Sequence, residues 1–372
     1  MSPSATPNAP PEPAAEQEFF VQWHLTERCN LRCLHCYQAG RSGGEMTLAE
    51  LLGVVDEVAD AAAAWSAAYG ICFTSSFQVT GGEPLLRAEL WDVLDHLRAA
   101  GFPTHLLSNG TLIDGDAAHR LAGLGVAGVQ VSLEGPEAVH DAVRGPESFR
   151  GALRGVAHLL SAGVHVDLNV TLSARNADRV DELVAIARAA GVPRIGFSRL
   201  VPYGRGAELA GELLPASRVR EVYEHLRSLE VPGLAIGTGD PLATQLDLDG
   251  TDGAGCTAVG GCAAGVSGIT ILPDGTLHPC RRLPIPIGNL RTDDLREVWA
   301  TSPVLAALRD KGRYSGRCGA CARWAACRGC RAVAYAVTLA RGCGNYLADD
   351  PQCFLHSPSP AREGPPRGEP PR

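Results

Sequence analysis

Between residues 19 and 199 the chain alternates six times between a short apolar or β-branched run and a helix-length amphipathic stretch, the pattern that most constrains its fold. Strands are expected at 19–26, 72–80, 104–108, 126–133, 165–171 and 194–199, each followed by Gly, Asn, Ser or Pro. Helices are expected at 47–68, 87–100, 114–124, 148–162 and 178–190. Thr47 and Glu50 make a capping-box pair for the first helix, and Gly101, Gly125, Gly163 and Gly191 stand where helices should stop. Such repeated units demand a parallel sheet with crossover helices, doubly wound or curled into a barrel. Folds of that kind gather their functional residues at the C-terminal ends of the strands.

The unusual residues fall at those ends. Cys29-Asn-Leu-Arg-Cys33-Leu-His-Cys36 follows the first strand, Thr80-Gly-Gly-Glu-Pro84 the second and Ser108-Asn-Gly-Thr111 the third, while Ser132-Leu-Glu-Gly-Pro136 closes the fourth. Three thiols at this spacing can ligate three corners of a cubane iron–sulfur cluster and leave one iron open to a small molecule. A partial zinc site is the plainer alternative, although structural zinc takes four protein ligands. Asn109-Gly110 also reads as an ordinary turn, and Arg144 as a surface ion-pair partner. His35 reads as a packing residue and Cys72 as a small buried hydrophobe.

The net charge of −8, without a dense basic run, gives no reason to expect nucleic acid. Lys311 is the only lysine, and nothing in the physical chemistry explains that bias. Residues 1–18 lack the charges and apolar core of a signal peptide and read as disordered; no stretch is apolar enough to span a membrane. A cytoplasmic protein is expected, and there the thirteen cysteines favour metal binding over disulfides. A helix at 216–229 and a Gly- and Asp-rich run mark 216–250 as a bridging linker. Nine cysteines follow: Cys256, Cys262, Cys280, Cys318, Cys321, Cys327, Cys330, Cys343 and Cys353. Between them lie a hairpin turned at Pro273-Asp-Gly275 and a helix at 295–308. Eight thiols serve two four-thiolate sites and leave one spare, with zinc ribbons as the alternative for 318–330. Cys343 competes with Cys353 for the last position; Cys353 is preferred because it follows Ala348-Asp-Asp-Pro-Gln352, a rigid turn. The Pro- and Arg-rich tail at 357–372 reads as disordered.

The cysteine spacing and the Gly-Gly-Glu-Pro turn, in that order on a βα scaffold, resemble the radical S-adenosylmethionine (SAM) enzymes. The resemblance implies an α/β fold, a partial (β/α)6 TIM-like barrel over 19–215. Residues 251–356 resemble the SPASM extension, a small cysteine-rich α+β domain holding two auxiliary clusters. By resemblance, Cys29, Cys33 and Cys36 hold the [4Fe–4S] cluster that binds SAM, for three [4Fe–4S] clusters in all. Cys256, Cys262, Cys280 and Cys330 would hold the first auxiliary cluster, and Cys318, Cys321, Cys327 and Cys353 the second. Gly81, Gly82, Glu83, Asn109, Ser132 and Glu134 would contact SAM, and Arg144 would pair with its carboxylate. No catalytic acid or base emerges.

The implied chemistry is reductive cleavage of SAM to a 5′-deoxyadenosyl radical that takes hydrogen from substrate. Members with two auxiliary clusters commonly act on peptides, so the expected function is maturation of a ribosomally made peptide or protein by a thioether, carbon–carbon or related crosslink. The implied partners are that precursor, a separate leader-binding protein, and a flavodoxin or ferredoxin as electron donor. Residues 1–18 are too few to form a leader-binding domain. A small-molecule or tetrapyrrole substrate is the alternative. Formylglycine formation is disfavoured, because Arg281 stands where the sulfatase-maturing enzymes carry a carboxylate. A non-catalytic electron-transfer protein would explain the cysteines but not the Gly81–Pro84 turn.

Overall fold

The computed structural model describes residues 16–38, 44–246 and 261–355. Among these residues ten strands form one sheet: β1 (Glu16–His24), β2 (Cys72–Thr80), β3 (Thr104–Ser108), β4 (Gly128–Ser132), β5 (Val166–Leu172), β6 (Arg194–Arg199), β7 (Ala235–Thr238), β8 (Gly268–Ile271), β9 (Thr276–His278) and β10 (Gly288–Asn289). Their order is β10-β9-β8-β1-β2-β3-β4-β5-β6-β7. Every pairing from β8 across to β7 is parallel; β9 and β10 join antiparallel.

The helices of the first part are α1 (Leu48–Tyr69), α2 (Leu90–Ala99), α3 (Gly115–Gly123), α4 (Glu137–Arg144), α5 (Ser148–Ser161), α6 (Val180–Ala190) and α7 (Ala216–Ser228). The later ones are α8 (Leu295–Thr301), α9 (Pro303–Arg309), α10 (Gly316–Ala320), α11 (Trp324–Cys327) and α12 (Arg331–Leu339). The Thr47 hydroxyl accepts from the Glu50 N–H while the Glu50 carboxylate accepts from the Thr47 N–H at 2.6 Å, so α1 starts on the expected box. Gly101, Gly125, Gly163 and Gly191 all adopt positive φ just beyond their helices.

The six expected strands form in order, and two more parallel strands flank them; residues 16–18, expected to be disordered, open β1. β7 extends the sheet past β6 from within the stretch read as a linker, and β8 extends it past β1 from the cysteine-rich part. The stretch at 295–308 is two helices, because Pro303 lacks the N–H to continue α8 and the Ser302 hydroxyl caps α9 by accepting from Leu305. The fourth βα connection carries the short helix α4 in addition to α5. Cys72 is exposed at the start of β2 rather than buried.

One core runs through both parts. Phe19 on β1 packs edge-on against Trp65 of α1 at 4.9 Å and Trp299 of α8 at 5.0 Å. Burying such a ring contributes on the order of 2 kcal/mol. β8 can lie against β1 because Gly268 has no Cβ, which would sit 2.5 Å from the Phe20 carbonyl. Parallel strands covered on both faces are usually continuously apolar. Here β5 alternates: Val166, Leu168, Val170 and Leu172 are buried, while Asp167, Asn169 and Thr171 between them are only half-buried. Gln130 and Ser132 break β4 the same way. Gln130, Ser132, Asn169 and Thr171 of these polar positions line one cleft.

Candidate active site

The loop carrying Cys29, Cys33 and Cys36 is pinned from several strand ends. The Gly82 N–H donates to the Thr26 carbonyl at 2.7 Å and the Glu83 N–H to the Arg28 carbonyl at 2.8 Å, which extends the β1–β2 ladder into the loop. A Cβ on Gly82 would lie 2.3 Å from the Arg28 oxygen, so the close approach served by this glycine is to the cysteine loop. Asn109 Nδ2 donates to Asn30 Oδ1 at 2.9 Å, and Asn30 Nδ2 donates to Thr111 Oγ1 at 2.8 Å. On the far side the Leu34 N–H reaches the Val143 carbonyl of α4 at 2.8 Å, and Arg205 Nε reaches the Cys33 carbonyl at 3.1 Å.

The three thiols open on a cleft of about 970 Å³ that is continuous with solvent. Gly81, Gly82, Asn109, Ser132 and Arg144 line the same cleft, so the structure brings most of the expected contact residues together. Glu83 and Glu134 stand behind the wall. Glu83 is fully buried and accepts from Ser108 Oγ at 2.8 Å and the Asn109 N–H at 2.9 Å. Burial pushes its pKa up to about 7 against those hydrogen bonds. Glu134 accepts from Arg144 Nη2 at 2.6 Å and from the Thr171 N–H at 2.8 Å. Burial would raise the Glu134 pKa, but Arg144 and then His35 outweigh it and hold the carboxyl well below the usual range. Arg144 therefore meets Glu134 where sequence expected it to meet the SAM carboxylate, and its Nη1 lies 3.7 Å from Cys33 Sγ. His35, expected only to pack, has Nε2 at 3.4 Å from Glu134.

Sequence reasoning missed Gln130, Asn169, Thr171 and Ser198, which line the cleft. Their signal was the period-two polar interruption of otherwise apolar strands. It also missed Tyr37, Arg281 and Arg282 as cleft residues, the last two from the cysteine-rich part; Arg205 belongs to 201–206, a segment expected to line the pocket or the connection.

A second, smaller cavity is lined by Cys318, Cys321, Cys327 and Cys353 together. Gln245 Nε2 lies 3.5 Å from Cys327 Sγ and 3.6 Å from Cys353 Sγ. Cys343 is exposed and does not line this cavity. Cys280 and Cys330 both face Arg282, and the Cys262 N–H donates to the Cys327 carbonyl at 3.0 Å. Cys256 lies outside the described residues. Burial pushes Cys327 up to about 11 and Cys330 up to about 12, so these thiols need a bound cation to ionise at neutral pH. Among the described residues no three His, Cys, Asp or Glu converge as a site for a single metal ion. The donors surround cavities instead, and an all-thiol set of this kind suits a polynuclear cluster.

A three-thiol loop at the C-terminal edge of a parallel sheet, with a thiol-rich module closing the same cleft, defines an iron–sulfur enzyme. Residues 23–187 match the model of the radical SAM superfamily, and residues 262–331 match that of the SPASM iron–sulfur cluster-binding domain. The AdoMet-dependent heme synthase of Methanosarcina barkeri is 32% identical over 352 residues, covering 90% of this chain and 95% of that protein. The mycofactocin maturase MftC of Mycobacterium ulcerans is 30% identical over 354 residues, covering 92% and 89%. In fold the chain is similar to Streptococcus suis SuiB bound to S-adenosylmethionine, with a TM-score of 0.71 and 17% identity over 91% of this chain and 78% of that one. The chain belongs to the radical SAM superfamily. As a member it uses a [4Fe–4S] cluster with SAM, and its C-terminal module holds auxiliary iron–sulfur clusters. Among the described residues no helix is long and apolar enough to cross a membrane.

Proposed function

We propose that this enzyme is a peptide maturase that installs an oxidative crosslink on a ribosomally made precursor. The observation that carries this reading is the shared cleft: Cys29, Cys33 and Cys36 face the same space as Arg281 and Arg282, the two residues after Cys280. A substrate held there touches both modules. The 30% identity with mycofactocin maturases over nearly the whole chain supports a peptide. When bound, the cluster and SAM supply one-electron cleavage and a 5′-deoxyadenosyl radical. Cys29, Cys33 and Cys36 hold that cluster, and Gly81, Gly82, Asn109 and Ser132 form the SAM wall. Glu83 holds Asn109 from behind through its N–H, and the Glu134–Arg144 pair fixes the position of α4 beneath Cys33. Arg144 and Arg205 also place positive charge beside the thiolates. Cys262, Cys280 and Cys330, completed by Cys256, hold the first auxiliary cluster; Cys318, Cys321, Cys327 and Cys353 hold the second. A leader-binding protein and a flavodoxin or ferredoxin donor complete the system.

A tetrapyrrole substrate is the second reading. It is favoured by Arg281 in the cleft, which suits a carboxylate, and by the 32% identity with a heme synthase. Anaerobic incubation of the reconstituted enzyme with SAM and reductant tests the common ground, since an enzyme of either kind forms 5′-deoxyadenosine. Adding a candidate precursor peptide or a carboxylate-bearing tetrapyrrole then separates the two by mass change of the substrate. A mass loss confined to the tetrapyrrole would overturn the peptide assignment.

A further inference from the structure

Five arginines line the cleft, and among the described residues no Asp or Glu lines it. Four of the five are committed to protein groups. Arg144 pairs with Glu134, and Arg199 pairs with Asp240 and Asp350. Arg205 donates to the Cys33 carbonyl, and Arg282 donates to the Arg199 carbonyl at 3.2 Å while facing Cys280 and Cys330. Arg281 differs: its guanidinium stands over the ring of Tyr37, 5.8 Å from the centroid, with no carboxylate partner among the described residues. The ring supports the flat face of the guanidinium, and the edge that carries the N–H donors remains available.

We infer that Arg281 anchors the substrate by the C-terminal carboxylate of the peptide, through a two-pronged N–H···O contact in the cleft. The inference rests on the peptide reading above and adds the chemical group by which the substrate is recognised. Arg281 directly follows Cys280, so a substrate held there lies against the auxiliary-cluster hairpin on one side. Tyr37, next to Cys36, places it beside the SAM-cluster loop on the other. A lysine would keep the charge but lose the planar two-donor contact.

The test uses the reconstituted full chain with SAM, titrated anaerobically with two pairs of probes. The first pair is a short peptide pool without acidic side chains, ending in a free carboxylate or in an amide. The second is coproporphyrin III and its tetramethyl ester. The wild type is expected to bind the free-acid pool about tenfold tighter than the amide. Arg281→Gln is expected to abolish that preference, and Arg281→Lys to keep part of it. Iron content of both variants shows whether they remain folded and loaded. Equal binding of the two pools by the wild type, or an undiminished preference in Arg281→Gln, overturns the inference. So does an equal loss of SAM affinity in Arg281→Gln, which would assign Arg281 to the SAM carboxylate. A preference shown only by the porphyrin pair overturns the peptide as the source of the carboxylate. Failure of the parent reading is scored separately, by the absence of any mass change in a candidate precursor peptide incubated anaerobically with the wild type, SAM and a strong reductant.

Discussion

Arg199, the last residue of β6, grips Asp350 with two parallel hydrogen bonds, Nη1 to Oδ1 at 3.1 Å and Nη2 to Oδ2 at 2.8 Å, with both side chains at most 1% exposed. Asp350 Oδ2 also accepts the Cys330 N–H at 2.8 Å, so the pair ties the end of the barrel sheet to a thiol of the C-terminal module. Burial works to raise the Asp350 pKa, but Arg199 outweighs it and keeps the carboxylate ionised. Asp350→Ala leaves the buried Arg199 with Asp240 as its remaining carboxylate and takes the acceptor from the Cys330 N–H; it is expected to lower stability by about 3 kcal/mol. A thermal melt of the loaded protein checks this, and a shift within the noise would show the pair to be dispensable.

Glu83 makes the enzyme's stability depend on pH. Its folded pKa of about 7 lies above the ordinary glutamate value of 4.5, so the folded chain holds this proton more tightly than the unfolded one. The stability it contributes is full below pH 4.5 and is lost as pH rises through about 7. The shift corresponds to roughly 3 kcal/mol. Glu83→Gln should flatten the denaturation midpoint across that window, whereas the wild type should decline. Parallel profiles for the two proteins would refute the assignment.

Gly82→Ala puts a methyl group 2.3 Å from the Arg28 carbonyl oxygen, where backbone must move. The expected result is displacement of the cysteine loop, lost iron at the Cys29–Cys36 site and at least about a tenfold drop in 5′-deoxyadenosine formation. Wild-type iron content and rate in this variant would contradict the close approach.

Iron retention separates the two late cysteines. Full loading of three four-iron clusters gives about twelve irons per chain. Cys343→Ala should keep that number, since Cys343 is exposed away from the four-thiol cavity. Cys353→Ala should lose about four. The reverse pattern would move the ligand to Cys343.

Much of the scaffold was legible because local signals agreed with the global pattern. β2, β3 and β6 fall on the predicted ranges, and the glycines that stop the helices do so through positive φ, which a sequence can announce. The convergence of Cys29, Cys33, Cys36, Gly81 and Asn109 followed from strand polarity alone. What was illegible depends on partners distant in sequence. Nothing near Gly268 says that β8 will lie beside β1, and nothing near Glu134 says that Arg144 will consume its charge. Arg281 looked like a missing carboxylate until the cleft showed it as a cation facing open space. The break at Ser302-Pro303 was written in the sequence, since proline ends a helix, and was overlooked.

The pairing of β8 with β1 also fixes an order of assembly. Phe20 and Gly268 are register partners about 250 residues apart, so one flank of β1 stays open until most of the chain has been synthesised. Arg281 and Arg282 arrive later still. The nascent cysteine loop is therefore accessible from the side that the finished enzyme closes, and iron delivered during synthesis meets a wider entrance than iron delivered afterwards.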